Sequence, residues 1–334
     1  MSNLDLPASP RLLFSANLAP VQGRRFQPTG FPDLGAGVYS LPDGTEQLLV
    51  ESAQSVANRL EAACWDDARA DLVEPLTGLP YIRVNDGHGN LLTTSVQEAH
   101  RLNSPYVERT EFFEKTLKPA IGFDEKRPVS RMALIQALAR FDVGCLLHGV
   151  FLESIAGVLR LPRALSGFIE AEGIGCVNSG GVKNDRVQAQ KDEESGRTAN
   201  EGFGNVPFHR TEFVAKSIVA YFNLDLEQLR GYRLGPELER LLYALSIFKV
   251  RNFLRSGLRL RTACDLEARS LDVKMPAGLS LPELADLVTV LPTLVAAAAK
   301  HFAAPPITVA VFDGAAKKAK EGKSSKSAGK VATT

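Results

Sequence analysis

The residues in this chain best suited to chemistry are cations and amides that could hold phosphate. Acids or thiols placed to move protons or electrons are not evident. Arg24 and Arg25 stand beside Phe26 and Gln27 in GRRFQP. Guanidinium forks fit phosphate oxygens, and the ring could stack on a base. A solvated loop accounts for the same residues equally well. In LLVESAQSVANRLE (residues 48–61), Ser52, Gln54, Ser55, Asn58 and Arg59 gather hydroxyls, amides and one full charge around a helix start. Free backbone N–H groups there attract an anionic oxygen. The alternative is an ordinary amphipathic helix with a wet face. From 249 to 261, Lys249, Arg251, Arg255, Arg259 and Arg261 follow one another with no acid between them. They read as a track for an RNA backbone or as a solvated surface. In the segment 172–205, Ser179, Lys183, Asn184 and Arg186 add polar and cationic reach, and Gly180 and Gly181 permit a bend. That segment contains no GxxxxGK[ST] and no well-placed GxGxxG, so it matches no phosphate-binding fingerprint.

Other chemistry finds little support. Cys64, Cys145, Cys176 and Cys264 are scattered without a CxxC pair, so neither a zinc ribbon nor a redox motif is indicated. Cys145 and His148 have the spacing of half a metal site, but core packing explains them better in the absence of a second half. His88 sits in a turn. Asp33 is a lone aspartate in a loop, first of all a turn residue. No metal or cofactor is called for.

The elements that must position these groups follow from periodicity. Residues 11–18 alternate as a first strand, and 19–37 form a long Gly- and Pro-containing loop. A turn at Asp43-Gly44 precedes a strand end at 48–50, which runs into the helix that Ser52 caps. Ala53, Val56, Ala57, Leu60 and Cys64 then fall on its inner face. Residues 79–84 and 91–94 pair across the turn NDGHGN. Helix is expected over 132–139 and a buried strand over 141–151. Apolar side chains nearly vanish between 183 and 200, so that segment should project from the body. Residues 213–222 form a buried strand or helix. A short helix spans 226–230, and Pro236 opens a stronger one with Leu238, Leu241, Leu242, Leu245 and Phe248 on one face. Arg259 and Arg261 share one face of a strand. A helical region at 281–302, bent or interrupted near Pro292, leads to a last strand at 307–312.

Length, 334 residues, allows one large domain or two smaller ones, with a sizeable core. Net charge is +1. The lysine-rich tail (317–330) carries that positive balance and leaves the body slightly acidic, so nucleic-acid contact must come from a local patch. No apolar run is expected to span a membrane, and the N-terminus lacks a signal peptide, which points to the cytoplasm.

The blocks LLVESAQSVANRLEAACW, VNSGGVKNDRV, EGFGNVPFHRTEFVA with AYFNLDLEQLRGY, and FLRSGLRLRTACDLEA stand in order between residues 11 and 271. Together they resemble the RAMP-superfamily backbone subunit of type I-G (formerly I-U) CRISPR Cascade effector complexes. The resemblance implies an α+β fold: a modified RNA-recognition, ferredoxin-like palm with an inserted helical lobe and a projecting thumb hairpin. On this reading, 1–172 is the first part of the palm with its inserted lobe and 173–205 the thumb. The rest of the palm is 206–313, and 314–334 a disordered tail. It implies a non-catalytic subunit that polymerises along CRISPR RNA and presents the guide for pairing with target DNA. Its partners would be further copies of itself, a large subunit, a guide-end-binding or processing subunit and a recruited helicase-nuclease, with no membrane. Ser52, Gln54, Ser55, Asn58 and Arg59 fall on the stretch that touches guide phosphates. His209, Arg210 and Arg255 join the RNA-binding set through the matching blocks. A target-RNA nuclease subunit and a solitary RNA-binding module are the competing readings.

Overall fold

Leu12, Phe14, Ala16 and Leu18 alternate with more polar neighbours in RLLFSANLAP, and all four are buried. That pattern makes a strand with one face in the core. The computed structural model describes residues 4–31, 33–124, 128–155, 159–184 and 205–314. In it, β1 (Arg11–Pro20) lies near the middle of a seven-stranded antiparallel sheet. Six further strands complete that sheet: β2 (Val38–Ser40), β3 (Glu46–Glu51), β8 (Leu165–Lys183), β9 (Val206–Asp225), β10 (Arg259–Arg261) and β11 (Cys264–Met275). Their spatial order is β10-β11-β1-β9-β8-β3-β2.

Helix α1 (Ala53–Ala62) follows β3, and α5 (Pro236–Ser256) connects β9 to β11. The path β1-α1-β8-β9-α5-β11 is thus a split β-α-β pattern with a long insertion. Phe14 stacks on Phe222 across the central pair, with centroids 5.3 Å apart. The expected inner face of α5 is buried in full, as are Val56, Ala57 and Leu60 of α1. Each such side chain contributes about 1.5–3 kcal/mol when fully buried.

The inserted lobe holds β4 (Tyr81–Asn85), β5 (Leu91–Thr94), α2 (Arg131–Phe141), α3 (Gly144–His148), β6 (Val150–Leu152) and β7 (Leu159–Leu161). The last described strand, β12 (Ile307–Val311), returns to pair in parallel with β4. Between α5 and β12 lies α6 (Leu284–Ala298), and α4 (Leu226–Gly231) follows β9.

Two expectations are corrected. Residues 141–151 are not one strand: they close α2, form α3 and reach β6 only at Val150. Burial was anticipated correctly, but a short apolar run fits strand and helix alike. Gly149, at φ +74°, makes the break, because a Cβ there would lie 2.6 Å from the Leu161 carbonyl oxygen. Secondly, one helix, Leu284–His301, is long and apolar enough by composition to cross a membrane. Its Leu287, Leu291, Val295 and Ala298 are buried, and it packs along α5.

The core also holds charge. Arg101 donates from Nε to Glu61 Oε1 at 2.8 Å and from Nη2 to Glu61 Oε2, and both residues are buried. Lys249 of α5 and Asp142 and His148 of the inserted lobe are buried as well. Burial raises the carboxyl pKa of Glu61 and of Asp142, against the pull of Arg101 and Lys249.

Strands β8 and β9 keep one register from Leu165↔Leu224 to Lys183↔Val206. β8 leaves β3 after Glu172, and β9 leaves β1 after Ile218. Farther out the two strands pair with each other, with one bridge from Phe26 to Phe213. This two-stranded ribbon projects about 37 Å at roughly 3.4 Å per residue. It leaves the sheet where the composition changes, at Glu172, and β8 itself runs unbroken from Leu165 to Lys183. The lysine-rich tail and Arg186 lie outside the described residues.

Candidate nucleic-acid interface

Ser52 caps α1, its Oγ accepting from the Ser55 N–H at 3.2 Å. The cap orients the first turn, where Gln54 is exposed and Ser55 half-buried. Gln54 donates to Asn58 Oδ1 at 3.5 Å and accepts from Arg163. One turn on, Arg59 leans the other way. Its Nε lies 3.4 Å from Glu51 Oε2, and its Nη2 donates to the Leu260 carbonyl.

Glu51 is 2% exposed and also receives Arg261. Arg261 further donates to the carbonyls of Gln27 (3.0 Å) and Val50 (3.1 Å). A single buried carboxylate therefore fixes two guanidinium groups, one from α1 and one from β10. Two cations on one anion leave a net positive charge, and the planar forks are held in place in advance.

The same device recurs part-way along the ribbon. Arg25 Nη1 lies 3.0 Å from Glu212 Oε2 and 3.4 Å from Ser179 Oγ, and Arg210 Nη2 lies 3.0 Å from Glu212 Oε1. Glu212 is buried, whereas the Arg25 side chain is 57% exposed. A cleft of about 420 Å³ opens here, with Arg24, Arg25 and Arg210 on its wall. The loop 24–27 joins the two clusters, Arg25 serving one and the Gln27 carbonyl the other.

Phe26 corrects the stacking expectation. Its ring is 1% exposed and its backbone bridges to Phe213 in both directions at 2.9 Å. The ring is the plug that seats the loop, so base stacking there is not available. The basic run 249–261 is likewise not one track. Lys249 is buried in the core, and Arg251 pairs with Glu283 at 2.8 Å. Arg255 bonds Asn252 Oδ1 at 2.9 Å and remains exposed, as does Arg259.

On the ribbon, Ser179 faces Arg210 and Gly180 faces His209. A Cβ on Gly180 would meet the Phe208 carbonyl oxygen at 2.5 Å, so a side chain there would clash with the facing strand. His209, Lys183 and Asn184 are exposed, and Gly181 faces the exposed Phe208. Asp33 lies exposed in a turn. Among the described residues no group of three or more His, Cys, Asp or Glu is placed to hold a metal ion.

Residues 12–175 match the family model described as CRISPR-associated protein GSU0053. Over that stretch, just under half of its length, the chain is similar to this CRISPR-associated family. No curated protein matches the chain. Among solved structures it is similar to a chain titled "CRISPR RNA-guided surveillance complex, pre-nicking", at 14% identity, covering 84% of this chain and 80% of that one, with a TM-score of 0.42. A second is the crystal structure of Thermofilum pendens Csc2, at 8% identity, covering 85% of this chain and 70% of that one, with a TM-score of 0.30.

The sequence reading missed the two anchoring carboxylates and the cations of the inserted lobe. Glu51 and Glu212 look like ordinary strand residues until their partners, far away in sequence, are placed beside them. Arg160 and Arg163 were legible as a basic pair around Leu161-Pro162, in a segment otherwise free of charge. The arrangement as a whole can grip anionic oxygens at several fixed points without reading base edges.

Proposed function

We propose that this chain is a non-catalytic CRISPR RNA-binding subunit that polymerises along the guide and presents it for pairing with target DNA. The observation that carries the reading is the pair of arginine clusters, Arg59 with Arg261 and Arg25 with Arg210, each preset on a buried glutamate, the second of them part-way along the projecting ribbon. The family match over the first half of the chain supports it. Guide binding must ignore sequence, which preset guanidinium groups aimed at phosphate achieve.

On this reading the split β-α-β sheet is a modified RNA-recognition palm and the ribbon is the thumb. The ribbon has little core of its own because its partners are RNA and the next copy. The further partners are target DNA, a large subunit, a guide-end-binding subunit and a recruited helicase-nuclease, all in the cytoplasm. A weak site repeated along a filament gains affinity through multivalency.

The test is co-expression with a CRISPR array and the other subunits, followed by a denaturing gel of the bound nucleic acid and a mass of the particle. Discrete RNA of guide length with several copies of the chain is the expected result. A nucleic-acid-free monomer, with folded partners present, overturns the proposal.

A further inference from the structure

A cleft of about 410 Å³ opens beside the first turn of α1, walled by residues 99–103, the α3–β6 junction and 160–163. No acidic side chain lines it. Arg101 is already matched by Glu61, but among the described residues no carboxylate pairs with Arg160 or Arg163. Arg163 donates to Gln54 Oε1, on the first turn of α1. Burial, and then the neighbouring Arg101, lower its pKa. That is the mark of a cation placed where an anion would relieve it. Arg160 sits with its guanidinium carbon 4.6 Å from the Phe151 ring centroid, a cation–π contact that fixes it at the rim.

One wall holds a group left without a partner. His148 is 1% exposed, and neither ring nitrogen makes a hydrogen bond. Burial, with Lys249, Arg101 and Arg163 nearby, keeps it neutral. A neutral imidazole carries one donor and one acceptor, and an unmatched buried pair is costly in a native structure. A cationic cleft with an unsatisfied donor and acceptor in its wall suits a ligand that carries both an anion and hydroxyl groups. Its volume is within the usual range for small-ligand sites.

We propose that this cleft holds one nucleotide of a single-stranded RNA, with its phosphate on Arg160 and Arg163. The inference rests on the guide-binding reading and extends it to a lobe that the sequence did not implicate. It also gives Gln54 a defined part, as the residue that holds Arg163 at the edge between α1 and the cleft.

The test is fluorescence anisotropy with a labelled single-stranded RNA of mixed sequence, titrated across salt. The proteins are the full wild-type chain, Arg160→Gln, Arg160→Gln/Arg163→Gln and, as a control on another surface, Arg69→Gln. The double variant should bind about tenfold more weakly, and its salt slope should fall by about 0.7 for each lost phosphate contact. RNA carrying 4-thiouridine should crosslink to the segment 148–163 in wild type and lose that crosslink in the double variant. Arg160 is exposed, so the single variant keeps the fold even if the double does not, and it should show about half the slope change. Wild-type binding with unchanged affinity and slope in both variants overturns the cleft and leaves the guide-binding reading standing. A wild-type chain that binds no RNA overturns both.

Discussion

Arg261 reaches from β10 to Glu51 at the end of β3, and that one contact ties the sheet's penultimate described strand to the entrance of α1. Glu51 is buried, and Arg59 approaches the same carboxylate oxygen at 3.4 Å. Removing the acid makes the surface more positive, so simple charge counting anticipates tighter RNA binding. The geometry anticipates the reverse. Glu51→Gln should lower stability by about 1–3 kcal/mol and weaken RNA binding, because two guanidinium groups lose the anchor that aims them. Urea melts and anisotropy titrations on one preparation check both halves.

Arg101 and Glu61 form a two-pronged ion pair between the inserted lobe and α1, both at 5% exposure or less. Breaking such a pair strands a buried charge. Arg101→Ala should cost about 3–5 kcal/mol, read as a shift in the urea midpoint at constant slope. Replacing both partners together with apolar residues should recover most of that loss.

His148 gives a pH dependence with a definite sign. Its folded-state pKa is well below the usual 6.5, first through burial and then through Lys249, Arg101 and Arg163. The stability it contributes is present above pH 6.5 and is lost as pH falls from there towards the depressed value. Glu61 and Asp142, whose pKa values are raised, act in the opposite direction: their contribution is lost as pH rises. Subtracting His148→Gln from wild type isolates the histidine. The difference should fall with acidification by up to about 1.4 kcal/mol per pH unit. A flat difference between pH 7.5 and 5.5 contradicts this assignment.

Gly180 faces His209 at a point where any Cβ would strike the Phe208 carbonyl oxygen. The ribbon there is outside the core, so Gly180→Val should leave the unfolding free energy of the body within about 0.5 kcal/mol of wild type. It should nonetheless splay the ribbon and reduce the nuclease protection of bound RNA. A wild-type footprint in this variant removes the ribbon from the interface.

What was legible in the sequence was what repeats along it. The alternation in β1, the Ser52 cap, the α5 stripe and the NDGHGN turn each place an element from neighbouring residues alone. Contacts that span hundreds of positions were not legible. Nothing near Glu51 announces Arg261, and nothing near Glu61 announces Arg101 or Lys249. Lys249 shows the reason most plainly. In the run 249–261 it looks like one more surface cation, yet the helix period turns it into the core beside an acid from another element. Phe26 fails in the same way: beside two arginines a ring suggests stacking, and only the bridge to Phe213 reveals it as a plug.

β1 is synthesised long before its two neighbours in the sheet, β9 and β11. Leu12 waits for Leu224, and Phe14 waits for both Phe222 and Val273. The central sheet therefore cannot close until nearly the whole chain has emerged. The apolar face of β1 has to be kept from other partners throughout synthesis, at the pace of translation rather than of folding. A chain cut at residue 175, which retains the whole family-matched stretch, has neither neighbour for β1 and should go to inclusion bodies rather than to a soluble half.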